Sequence, residues 1–155
     1  MPEHPSKTTL RLREFLPYRL SVLSNTVSGK IADLYDREFG LSVWQWRVMA
    51  VLGENAGITA TEIGQVTAMD KVAVSRAVSG LIDSGHVSRK ASPADGRRSI
   101  LSLTAKGKDV YDKIVPIALE AERELIATLS PAEQEQLARL MEKLARTSEP
   151  DRPLW

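Results

Sequence analysis

The sequence predicts a mainly α-helical chain with one small β-hairpin, flanked by N- and C-terminal helices. Three observations point there. Apolar residues recur at three- and four-residue steps over several long runs, the mark of helices with one buried stripe. Ser42, Thr59, Asp70, Thr104 and Ser130 stand where helix N-caps belong. Only residues 86–103 show two strand-like runs around a Pro/Asp/Gly turn.

Residues 1–9 are polar, hold two prolines, and read as a disordered tail. Leu16, Leu20, Leu23, Val27, Ile31 and Leu34 then form a stripe about five turns long, within an N-terminal helical segment 10–40. Pro17 suits its first turn, where a missing N–H does no harm, and Gly40 ends it. Ser42 with Gln45 is a capping box that opens a second helix through Trp44, Trp46, Val48, Val51 and Leu52. The stretch Gly53 to Gly57 breaks it. Thr59 with Glu62 repeats the box and starts a two-turn helix ending near Val66.

Asp70 caps the next helix, Lys71 to Asp83. Val74, Ala77, Val78 and Leu81 share one face of it; Val72, Ala73, Ser75, Arg76 and Ser79 fall on the others. Ser84-Gly85 stops it. The hairpin follows, with Asp95, Arg97 and Arg98 at its tip. Thr104 caps a long helix whose stripe is Val110, Ile114, Ile117, Ala121, Leu125 and Leu129, and Pro116 inside it predicts a kink or a break. Ser130-Pro131-Ala132-Glu133 is a complete start signal for a last helix bearing Leu137, Leu140, Met141 and Leu144. Residues 147–155 read as a flexible tail.

Composition narrows the function. With no cysteine and two histidines in 155 residues, disulfide scaffolds, thiol redox sensing and Cys-based zinc sites are excluded. A His-rich metal site or a Ser-His-Asp triad has almost nothing to build on, so neither a metal, a cofactor nor a catalytic residue is assigned. Ten residues, Leu20 to Gly29, form the longest run without a charge, far short of a membrane span. The N-terminus lacks a signal peptide's basic start and apolar run, so a cytoplasmic protein with no membrane partner is expected.

The formal net charge of +1 hides an asymmetry. Residues 61–110 carry +3 and residues 111–155 carry −3. Between Lys71 and Lys108, eight basic side chains face only Asp83 and Asp95. Such a block is either a solvated face or a footprint for phosphate.

Two consecutive short helices followed at once by a basic hairpin is the order of a winged helix-turn-helix. The second helix must enter a major groove about 12 Å wide. Small side chains near its start (Val72, Ala73, Ser75) let the backbone come close to bases, and Arg76 reaches a guanine edge or a phosphate. Lys71 in the first turn is a phosphate contact or merely solvated. An arginine at the hairpin tip suits a narrow minor groove.

The run from Met69 to Arg98, and above all Asp95-Gly96-Arg97-Arg98, resembles the MarR family of bacterial transcriptional regulators, whose wing carries Asp-x-Arg-Arg. Leu103 to Gly107 matches the family's Leu-Thr-x-x-Gly segment, and Leu16 to Asn25 and the last two helices are similar too. The resemblance spans residues 16–145 or so. It implies a homodimer in which the first helix and the last two (105–146) of each subunit interleave. A winged helix-turn-helix (41–104) sits on either side and meets a palindromic operator of double-stranded DNA. It implies further that Arg97 enters the minor groove, that Asp95 pairs with a neighbouring arginine, and that Arg98 braces the wing or meets a phosphate.

Regulators of this kind usually release DNA when a small ligand binds between the dimer helices and the DNA-binding lobe. Tyr18, Arg19, Asn25, Trp44, Trp46 and Arg47 are the candidates here for a phenolic acid or an aromatic acyl-CoA thioester. Each also has a plainer reading. At least one tryptophan belongs to the core, Arg47 suits an ion pair, and Asn25 suits a hydrogen bond at the dimer junction. His86 reads as a satisfied structural histidine. Glu120, Glu122 and Glu124 are spread around a helix and read as solvated. The resulting expectation is a repressor released by an aromatic effector, the alternative being a winged-helix adaptor for protein contacts without ligand sensing.

Overall fold

A single 3-10 turn, Leu12–Glu14, leads into helix α1 (Leu16–Phe39) in this structure, a computed structural model that describes residues 9–149. Residues 1–8 and 150–155, where most of both expected tails fall, lie outside the described residues. Gly40 ends α1 in the left-handed conformation (φ 63°), as a C-terminal glycine does. Helix α2 (Val43–Glu54) and helix α3 (Ala60–Val66) both start from complete capping boxes, on Ser42/Gln45 and Thr59/Glu62. Gly53 stays inside α2, close against the Tyr111 ring, where a side chain would collide. Helix α4 (Lys71–Asp83) begins at Asp70 and ends before Gly85 (φ 77°).

Strands β1 (Val87–Ala91) and β2 (Ser99–Leu103) pair antiparallel, with Val87 opposite Leu103 and Ala91 opposite Ser99. Helix α5 spans Ala105–Ile126 and helix α6 spans Pro131–Ser148, so the last helix includes two residues expected to belong to the tail. Pro116 does not break α5. It costs one hydrogen bond, the one that the Asp112 carbonyl would accept; both residues lie on the exposed side, and 22 residues of helix carry the loss.

The core gathers where α2, α4 and β2 meet. Val48, Met49, Leu52, Ile63, Val78, Leu81 and Leu101 are each buried there, and each stabilises the fold by about 1.5–3 kcal/mol against exposure. Tyr35 and Ile114 carry this core to α1 and α5. Tyr35, Trp46 and Tyr111 form an aromatic row across that junction, with ring centroids 5.1 and 5.9 Å apart. Burial pushes the Tyr35 phenol up to about 12, so it stays neutral.

The joint between α4, the hairpin and α5 is tightly bonded. Thr104 Oγ1 donates to the Gly85 carbonyl (2.6 Å) and accepts the Gly107 N–H (3.0 Å). Lys106 Nζ donates to the Ser84 carbonyl (2.7 Å). His86 is buried with Nδ1 2.6 Å from Ser84 Oγ, the structural role expected of it. Desolvation, then the nearby Lys106, hold its pKa below the usual value, so it is kept neutral.

Two helices leave their apolar stripes bare. Leu16, Leu20 and Leu23 on α1 are exposed, as are Leu137, Leu140, Met141 and Leu144 on α6. Among the described residues, helix α6 makes no extended packing against any other element.

Candidate nucleic-acid interface

Helices α3 and α4 form a helix-turn-helix because Asp70 starts α4 abruptly. Its Oδ1 accepts the Ala73 N–H at 2.7 Å, and a carboxylate there is favoured by the helix dipole. Val74, Ala77, Val78 and Leu81 then turn inward, all buried, which forces Lys71, Val72, Ser75, Arg76 and Ser79 outward. Ala73 is half-buried at the edge. Val72 is 59% exposed, an apolar side chain left in water on a helix whose opposite face is fully packed. The inner face is pinned closely: the Gln45 side chain lies against Gly80, where a Cβ would meet it at 2.7 Å.

A groove of about 480 Å³ runs between α3 and α4 and is lined by Gly64, Gln65, Met69, Lys71, Ser75 and Arg89, among others. Arg89 belongs to the basic block seen in the sequence, and the structure places it, exposed on β1, at the edge of this groove. A second groove, about 360 Å³, lies between the start of α2 and α4, with Trp44, Gln45, Ala73 and Arg76 in its wall.

The hairpin tip is shaped by its backbone. The Ser92 N–H donates to the Arg98 carbonyl (2.8 Å), and the Arg98 N–H to the Asp95 carbonyl (2.9 Å). Asp95 does not pair with a guanidinium as expected. Its Oδ1 accepts the Arg97 backbone N–H at 3.0 Å, because an aspartate two residues ahead of a free N–H closes a local turn more readily than it reaches a long side chain. Arg97 and Arg98 are both exposed.

Ion pairing is distributed unevenly. The pairs among the described residues lie at the chain start, on α5 and on α6, such as Lys113 with Asp109 at 2.7 Å and Arg123 with Glu120 at 2.6 Å. None involves Lys71, Arg76, Arg89, Lys90, Arg97 or Arg98. These six cations of the central block therefore make no ion pair among the described residues, whereas Lys108 of the same block pairs with Asp112 at 3.2 Å.

The six candidate ligand residues fall in different places. Tyr18, Arg19 and Asn25 are exposed along the first half of α1. Trp44 is 43% exposed, and the Arg47 guanidinium lies over its ring at 5.1 Å rather than in an ion pair. Trp46, two residues on, turns to the opposite side and joins Tyr35 and Tyr111. Those two tyrosines escaped the sequence reading because nothing in one chain's order brings residues 35 and 111 together.

Comparison with known proteins settles the family. Residues 39–98, from the end of α1 to the wing tip, match the family model described as MarR family. A probable transcriptional regulator from Pseudomonas aeruginosa has a crystal structure 31% identical in sequence, with a TM-score of 0.73 over 86% of this chain and 99% of that one. The chain belongs to the MarR family. A MarR/EmrR family regulator from Acinetobacter sp. ADP1 is similar in structure throughout, at TM-score 0.83 and 26% identity over 91% of this chain and 99% of that chain. An HTH-type transcriptional repressor of Mycobacterium tuberculosis is 27% identical over 131 residues, 84% of this chain and 91% of the repressor. This MarR-family protein is a DNA-binding transcriptional regulator, not an enzyme. No helix among the described residues is long and apolar enough to cross a membrane.

Proposed function

We propose that the protein acts as a symmetric homodimer that represses transcription from a palindromic operator and is released by a small aromatic acid or its CoA thioester. The observation that carries the DNA half is the set of unpaired cations on α4 and the hairpin, beside the small outward side chains of α4. In this reading Val72, Ala73 and Ser75 face base edges, Arg76 takes a base edge or a phosphate, and Lys71 takes a phosphate. Arg97 enters the minor groove, Asp95 shapes the turn that presents it, and Arg98 braces the wing. The bare leucines of α1 and α6 support the dimer, since so much exposed apolar surface marks an interface. Residues 10–40 and 105–146 are then the dimerisation segments and 41–104 the DNA-binding unit.

Support for the effector is the groove that holds Trp44 and Arg76 together, with Arg47 beside the indole. An aromatic carboxylate has a stacking partner and a cation there. Tyr18, Arg19, Asn25 and Trp46 join the site only through the dimer junction.

Fluorescence anisotropy on duplex from the promoter region adjoining the protein's own gene tests both halves. Binding that weakens steeply with added salt is expected, because phosphate contacts release counterions. Hydroxybenzoates, hydroxycinnamates and their CoA esters, added in turn, are expected to include a compound that releases the duplex. Salt-indifferent binding overturns the DNA half; a panel without effect overturns the effector half alone.

A further inference from the structure

In the groove between α2 and α4 the fold has already used most of the polar lining. Ser42 Oγ accepts the Gln45 N–H (3.2 Å) and Gln45 Oε1 accepts the Ser42 N–H (3.0 Å), so both side chains are tied into the capping box of α2. Ala73, from α4, adds no charge. Arg76 is left as the charged residue of the lining. It is exposed, takes part in no ion pair among the described residues, and shares the groove with no acid. Trp44 lines the same groove from α2, with an indole 43% exposed and steadied by the Arg47 guanidinium at 5.1 Å. The space is about 360 Å³. A cavity of about 150 Å³ takes a benzene molecule, so this groove suits one aromatic ring with short substituents.

We propose that this groove takes a free one-ring aromatic carboxylate, stacked on Trp44 and held by Arg76, and that the acid releases DNA by competing with it for the same guanidinium within each subunit. The inference rests on the effector reading above and narrows it twice. The first narrowing is chemical. A CoA thioester has exchanged its carboxylate for a neutral acyl sulfur, so at this groove it lacks the group that Arg76 recognises. The second concerns how release happens. Arg76 stands on the outward face of α4, the face assigned to DNA. A guanidinium that closes its fork on a carboxylate cannot also close it on a base edge or a phosphate. The bound ring also adds bulk beside Ala73, where the backbone of α4 must come close to bases. Release then needs no change in the distance between two recognition helices.

Two titrations of the full-length protein test this, with 4-hydroxybenzoate as the probe. In the first, calorimetry without DNA, the acid is expected to bind, and Arg76→Gln and Trp44→Leu each to weaken it about tenfold or more. Both side chains are exposed, so neither substitution opens the core. The uncharged amide 4-hydroxybenzamide and the thioester 4-hydroxybenzoyl-CoA should each bind about tenfold more weakly than the acid, or worse. In the second titration, anisotropy on an operator duplex, the apparent Kd should rise in proportion to added acid without a plateau. Direct competition requires that, whereas coupling between separate sites saturates. A plateau, or binding of the acid by Arg76→Gln at wild-type strength, overturns the proposal and leaves the effector reading standing at another site. So does release by the thioester at concentrations where the free acid neither binds nor releases. If no compound of the wider panel releases the duplex, the effector reading falls and this proposal falls with it.

Discussion

Arg97→Ala is expected to weaken operator binding by about tenfold or more, since an arginine contact in a groove is worth about 1–3 kcal/mol and a dimer loses two. Its fold should be intact. The Arg97 side chain is exposed, and its bond to Asp95 runs through the backbone N–H, which alanine retains. The slope of log affinity against log salt should flatten by about 2, one unit for each lost cation. Asp95→Ala should act in the same direction while removing no cation, because the tip turn loosens but the charge stays. Anisotropy titrations at several salt concentrations separate the two. An unchanged affinity for Arg97→Ala would mean that the hairpin does not touch DNA.

Gly107→Ala is expected to destabilise the fold by about 3 kcal/mol, which lowers the melting temperature of a chain this size by roughly 6–12 °C. The sign is the instructive part. Within a helix, alanine is ordinarily better than glycine by about 1 kcal/mol. Here a Cβ would run into the His86 carbonyl, an oxygen already fixed by the Thr104 N–H at 3.0 Å. Backbone held on both sides cannot swing away as a side-chain end could, so the collision outweighs propensity. Gly96→Ala is the control: nothing lies within 4 Å of its Cβ position, and its φ is not positive. It should melt with the wild type. Thermal denaturation followed by circular dichroism reads both, and a Gly107→Ala protein more stable than wild type would show that α5 is free to move away from the wing joint.

What the sequence displayed well was local. The caps at Ser42, Thr59, Asp70, Thr104 and Ser130 each hold their helix by a bond between residues three apart, so short-range pattern suffices to see them. The split of α4 into an inner and an outer face follows from its 3.6-residue period alone. What it hid depends on distance through space. The Tyr35–Trp46–Tyr111 row joins three helices, and the seat of Gly107 on His86 joins a helix to a strand end. Arg47 finds an indole instead of an acid because its neighbour Trp44 is turned outward on the same helix. Pro116 does not end α5: its local penalty is real, but the turns around it hold the helix together. The apolar stripe of α1 was legible as a stripe, and its exposure in a single chain carries the information that one chain's pattern lacks.

Selection of bound sequences from a pool of randomised duplex DNA tests the central claim most directly. Two helix-turn-helix units presented by a symmetric pair of chains should enrich an inverted repeat. Its half-sites should be centred about 10 base pairs apart, one helical turn, with A·T-rich flanks where the wings fall. Enrichment of a lone half-site, of repeats in direct orientation, or of no sequence at all would contradict it.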